Sequence, residues 1–219
     1  MVRVRQMHEW AVSEEAAVAV QQRLRGLVRI GDEHGPIRKA AGLDVAYRDP
    51  DIAIGVVTVL DVDSLAVLDQ AVVRERIEFP YISGLFAFRE IPPLTRALES
   101  LRVEPDVLVC DGHGLAHPRR FGLAAHLGVL TDLPSIGVAK KSSGDHADPG
   151  PDRGDSSPVT SDGEIVGRAL RTQPGVKPLF VSVGHRFSLD SACALVLRLA
   201  PRYRLPETTR TADHLGRIA

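Results

Sequence analysis

Apolar residues at helical spacing run over Ser13–Val28, with Ser13 and Glu15 at the head, and predict a surface helix. Three short runs rich in Val and Ile follow: Ala41–Tyr47, Ile52–Leu60 and Ala66–Val73. Turn residues separate them (Asp49-Pro50-Asp51 and Asp61-Val62-Asp63), the pattern of an antiparallel meander. Leu85–Leu101 reads as a helix that Pro92-Pro93 should kink or restart. Val107–Cys110 is a wholly apolar strand, Arg119–Leu130 a helix and Ser135–Ala139 a short strand. Strand patterns return at Ile165–Leu170 and Leu179–Val183, before helices at Leu189–Leu199 and Thr208–Ile218. Three antiparallel strands and then β-α-β units predict a mixed α/β sheet.

Lys141–Ser157 interrupts this rhythm with Ser, Gly, Pro and four Asp. Strand patterns resume beyond it, so it is expected to be a flexible polar loop inside one domain spanning 1–219. The 219 residues suffice to bury a core without disulfides or structural zinc. A 44% hydrophobic and 25% charged composition is that of an ordinary globular chain. No apolar run reaches the roughly 18 residues of a membrane helix. The acidic, Trp-bearing N-terminus lacks a signal peptide's apolar core, so a cytoplasmic protein is expected. Cys110 and Cys193 read as small buried hydrophobes. The net charge of −1 announces no polyanion partner, although bases outnumber acids nine to three from Ile165 onward.

Candidate chemistry lies where acids interrupt apolar strands. Asp44 sits within AGLDVAY, and Asp111 directly follows VLVC. A half-buried carboxylate needs a partner, although Asp111-Gly112 is also a strong turn dipeptide. With Glu90 in the helix after the meander, these acids can converge on one hard, oxygen-seeking cation, and Mg²⁺ is the better reading. Such an ion activates water and offsets charge on a phosphoryl group. Zinc is disfavoured because the His and Cys spacings do not fit, and no G-x-S-x-G motif supports a serine nucleophile. Pro80–Gly84 forms a rigid turn bearing Tyr81 and Ile82, either a wedge between bases or a loop packed on the core.

The runs AGLDVAY, PYISGLFAFRE, DGHGLAHPRRFGLAAHLG, LPSIGVAKK, SVGHRFSLDSA and YRLPETTRTAD resemble the endonuclease V family of deoxyinosine-directed repair nucleases, from about residue 13 to the C-terminus. The resemblance implies a ribonuclease H-like fold: a mixed sheet, three antiparallel strands then parallel ones, with helices on both faces. It implies that Asp44, Glu90 and Asp111 are catalytic acids, that Asp44 and Asp111 hold the metal, and that Asp213 fills a fourth position where the family carries Asp or His. It places Pro80, Tyr81 and Ile82 on a strand-separating wedge whose usual form is PYIP, with Ser83 replacing the second proline. Gly84, Leu85, Gly112, Gly122 and Leu123 match a pocket for the flipped base, their backbone expected to read its edge. Lys140 and His117 match residues near the phosphates, Arg89 lies beside Glu90, and Phe121 is bulkier than usual at its position. The implied activity is hydrolysis of the second phosphodiester bond 3′ to deoxyinosine, leaving 3′-hydroxyl and 5′-phosphate ends. Mg²⁺ is the expected cofactor, with Mn²⁺ as a substitute, and the expected form is a monomer acting on DNA. The alternative is an inosine-specific ribonuclease on single-stranded RNA. A catalytically silent inosine-binding module is a poorer reading, since it has no use for crowded acids.

Overall fold

In the computed structural model, which describes residues 1–10 and 13–219, the meander forms as the alternation predicts. β1 (Lys39–Asp49), β2 (Ile52–Asp61) and β3 (Val67–Arg76) pair antiparallel in sequence. Asp61 fixes the second turn by accepting from the Asp63 and Ser64 amides at 3.1 and 2.8 Å. β4 (Val107–Cys110) joins β1 in parallel, and β5 (Ser135–Ala139) joins β4 in parallel. β9 (Leu179–His185), β8 (Glu164–Leu170), β7 (Ser156–Ser161) and β6 (Asp145–His146) extend the sheet antiparallel to its far edge. The order is β3-β2-β1-β4-β5-β9-β8-β7-β6.

Strand alternation divides the side chains between two layers. Ala41, Leu43, Val57, Val59, Leu108 and Cys110 pack on one face against α2 (Ala87–Ser100) and α3 (Leu123–Thr131). α1 (Glu14–Leu24), capped by the Ser13 hydroxyl and continued by a 3₁₀ turn at Arg25–Leu27, lies over the same helices. On the opposite face α4 (Leu189–Leu199) covers Val107, Val109, Ile136 and Val181, and α5 (Glu207–Ile218) covers Ile54 and Val56. Cys110 and Cys193 are buried and unpaired, as expected. Among the described residues no helix is long and apolar enough to cross a membrane.

Three expectations need correction. α2 does not restart at Pro92-Pro93. Its buried face (Phe88, Ile91, Leu94, Leu98) holds the helix through the two amides that proline lacks. α3 begins at Leu123 rather than Arg119. Arg120 stands at φ 55°, its guanidinium donating to the Ser161 carbonyl at 2.9 Å, so the chain turns there instead of coiling. Finally, 141–157 is more than a loop. It supplies edge strand β6, and its Pro149 and Gly150 carbonyls accept from the buried Arg171 guanidinium at 2.7 and 2.6 Å.

Candidate active site

β1 and β4 pair as far as Leu43 and Cys110, so Asp44 and Asp111 follow side by side where β4 leaves the sheet. α2 brings Glu90 from one face and α5 brings Asp213 from the other. Lys140 follows the end of β5. All five line one cleft, together with Leu43, Leu94, Leu123 and Arg217. Lys140 Nζ donates to Asp111 Oδ2 at 2.6 Å, and the Tyr47 hydroxyl donates to Glu90 Oε1 at 3.1 Å. Arg217 pairs with Asp213 at 3.0 Å, one helical turn along α5. Arg89 lies over the Tyr47 ring at 5.3 Å and donates to the Phe79 carbonyl at 3.0 Å.

The electrostatics are those of crowded acid. Burial raises the Asp44 carboxyl to about 6, and the Asp111 and Asp213 carboxylates add to the shift. Burial raises Glu90 to about 8, aided by Asp44 and Asp111 against the Tyr47 hydrogen bond. Burial works against the Lys140 ammonium, but its hydrogen bond to Asp111 and the surrounding acids raise it above its ordinary value. Among the described residues no three acid, His or Cys side chains close tightly enough to enclose an ion as they stand. The acids ring the cleft, and the Lys140 ammonium stands against one of them.

The turn at Pro80–Leu85 leads into α2, the helix that carries Glu90. Its Leu85 amide donates to the Ile82 carbonyl at 3.0 Å, and Gly84 occupies the third position at φ 77°, where a side chain would be strained. Pro80, Tyr81 and Ser83 are exposed, Tyr81 to 77%. Ile82 is half-buried against Phe79, Leu85 and Phe88. So the turn presents one aromatic ring to solvent, and of the two expected insertion side chains Ile82 rests on the core.

Of the expected pocket residues, Gly112 lies against Leu123 and Gly84 against His117. A Cβ on Gly112 would meet Leu123 Cδ2 at 3.4 Å, and one on Gly84 would lie 3.6 Å from His117 Nε2. Burial lowers the His117 imidazole to about 4, so the ring is neutral at pH 7. The backbone here is already occupied. The amides of Leu85, Gly112 and Gly122 donate to the Ile82, Cys110 and Gly114 carbonyls, and the Leu85 side chain is in the core. Any reading of a base edge by these amides therefore requires them to exchange partners. Sequence reasoning also passed over Tyr47, although β-alternation puts it two residues beyond Val45 on the α2 side. It assigned no role to Arg119, although that residue stands within the DGHGLAHPRR run, and it missed Gln21, which lies in no quoted motif.

The sequence pattern of the endonuclease V family matches residues 22–214. An endonuclease V of Roseiflexus sp. (strain RS-1) is 54% identical over 213 residues, 95% of this chain and 96% of the relative. The crystal structure of the Streptomyces avermitilis endonuclease V is 50% identical with a TM-score of 0.92, covering 100% of this chain and 96% of that one. The endonuclease V of Ciona intestinalis was crystallised with a 24mer DNA containing an inosine followed by a ribo-adenosine. It is 29% identical with a TM-score of 0.81, over 94% of this chain and 98% of that one. The mixed sheet with helices on both faces is thus the ribonuclease H-like fold the resemblance implied. The chain belongs to the endonuclease V family of nucleases.

Proposed function

We propose that the protein is a divalent-metal-dependent endonuclease that acts at deoxyinosine in DNA and hydrolyses the second phosphodiester bond on its 3′ side. The observation that carries this reading is the meeting of Asp44, Glu90, Asp111, Asp213 and Lys140 on one cleft from five separate elements. The raised Asp44 and Glu90 carboxyls mark a cluster short of positive charge, and its all-oxygen donors suit Mg²⁺, or Mn²⁺ in its place. Asp44 and Asp111, adjacent in register, would hold the ion. Bound there, it supplies a more acidic water and offsets phosphate charge. Glu90, held by the Tyr47 hydroxyl, accepts or relays the water proton, and Asp213 orients the shell from α5. Lys140 faces the charge that builds on the phosphoryl oxygens. Tyr81 opens the duplex, and the flipped base enters the pocket between Gly84, Gly112 and Leu123.

The test is an end-labelled duplex with one deoxyinosine, incubated with and without Mg²⁺. One product band, displaced one nucleotide beyond the lesion and dependent on the metal, is expected. Equal cutting of an undamaged duplex, or cutting in chelator, refutes the reading. The inosine–ribo-adenosine strand bound by the Ciona relative favours a second reading, cleavage of inosine in single-stranded RNA. Matched RNA and DNA oligomers compared on kcat/KM decide between the two.

A further inference from the structure

Gln21 is a fully buried amide on α1 whose two ends both reach outside the helix. Its Oε1 accepts from Arg119 Nε at 2.5 Å, and its Nε2 donates to the Gly84 carbonyl at 3.1 Å and the Phe121 carbonyl at 3.2 Å. A guanidinium has no acceptor, so Arg119 fixes which way the amide faces. The two carbonyls lie far apart in the chain. Gly84 is the third position of the turn that follows Tyr81, and Phe121 precedes Gly122 at the head of α3. The Gly84 carbonyl also accepts from Arg119 Nη2 at 2.7 Å and lies 3.0 Å from His117 Nε2. Neither Glu, Met nor Asn replaces Gln here: Glu lacks the donors, Met lacks both donor and acceptor, and Asn is too short. Position 21 also lies one residue outside the stretch matched by the family pattern.

We propose that Gln21 is a positioning residue that locks the strand-opening turn to the base pocket, so that Tyr81 enters the helix at a fixed distance from the flipped base. This rests on the reading of the chain as an inosine nuclease with a wedge at Tyr81. Groups that hold a site to sub-ångström tolerance act through such hydrogen-bonded supports. The support matters for a duplex, which must be unstacked, and little for a single strand, which need not be.

The experiment compares parent and Gln21→Met on one inosine oligomer, as duplex and as single strand. A 2-aminopurine beside the lesion reports unstacking on metal-free binding. The expected result is a loss of roughly tenfold or more in duplex kcat/KM, a weaker 2-aminopurine signal, and single-strand cleavage within about twofold of the parent. Arg119→Lys should give the same signature, and the double variant should lose little beyond the worse single one. If Gln21→Met does not fold, Gln21→Glu carries the test, since it keeps the size and the Arg119 contact but turns only acceptors toward two carbonyls. Equal losses on both substrates, an unchanged duplex rate, or failure of both variants to fold overturns the proposal. A parent protein that cuts no inosine substrate overturns the underlying reading as well.

Discussion

Asp44 shows what crowding and burial do to a single carboxyl. Its carboxyl is raised to about 6 in the folded chain against the usual 3.8. The folded state therefore binds its proton more tightly, and metal-free stability falls as pH rises from about 4 through 6. Asp44→Asn keeps the volume and removes this penalty. The variant should be more stable than the parent at pH 7.5, by at most about 3 kcal/mol at 1.36 kcal/mol per pH unit, and equal to it at pH 4. It should also lose all cleavage. Urea unfolding in chelator at both pH values checks the first part, and equal stability at pH 7.5 would remove Asp44 from the crowded cluster. Gly112 and Gly122 divide in the same physical way. A Cβ on Gly112 meets the Leu123 side chain from 3.4 Å and Phe86 Cζ at 3.7 Å, ordinary contacts, whereas one on Gly122 meets the His113 carbonyl at 2.4 Å. Gly122→Ala should therefore lose stability by about 1–3 kcal/mol and most inosine cleavage, while Gly112→Ala folds normally. Thermal unfolding of both variants tests this, and a Gly122→Ala protein as stable as the parent contradicts the packing described.

In the proposed reading, duplex opening depends on the turn at Pro80–Leu85. Ser83 holds the second position of a four-residue turn whose third position is the left-handed Gly84, and proline is favoured at that second position. Ser83→Pro should raise stability by roughly 0.4–1 kcal/mol and increase duplex cleavage more than single-strand cleavage. Tyr81→Ala should do the reverse, cutting duplex cleavage while sparing the single strand. Indistinguishable changes on the two substrates would make the turn a plain contact surface. Much at this scale was legible in the chain. The meander, β4, β5 and α4 declared themselves because both of their faces, or one complete face, are apolar. β6 and β7 did not, because polar edge strands carry no alternation that burial imposes. Pro158 in β7 is a poor strand residue, tolerated because it lies just beyond the last residue that pairs with β6. The early expected start of α3 failed for a related reason: Arg119 and Arg120 are good helix formers, but their guanidinium partners lie in other elements. The acids at strand ends could be read from the sequence, whereas the Gln21 clamp, built from backbone carbonyls far apart in the chain, could not.

Taken as a whole, the molecule carries a net charge of −1, so no long-range field draws it to a polyanion. In the proposed reading, binding comes from local bases, from the exposed Tyr81 ring and from the cleft itself. Yet the cleft holds four carboxylates against Lys140 and Arg217, and Arg217 is already paired with Asp213. A phosphate entering it without a cation meets like charge at close range, which at about 4 Å costs on the order of 4 kcal/mol per pair near a protein surface. Only part of that reaches the measured affinity, because Lys140, salt and water screen it. Metal removal should thus weaken binding as well as stop hydrolysis. The expected dissociation constant for an inosine duplex in chelator is about 10–100-fold higher than in Ca²⁺, a hard cation of the same charge and donor preference. Asp44→Asn should narrow that gap, since one of the repelling charges is gone. Fluorescence anisotropy at fixed ionic strength measures both. If the parent binds equally well in chelator and in Ca²⁺, the phosphates do not approach the acid cluster in the bound complex. The cleft between β1, β4, α2 and α5 would then not be where the strand is cut.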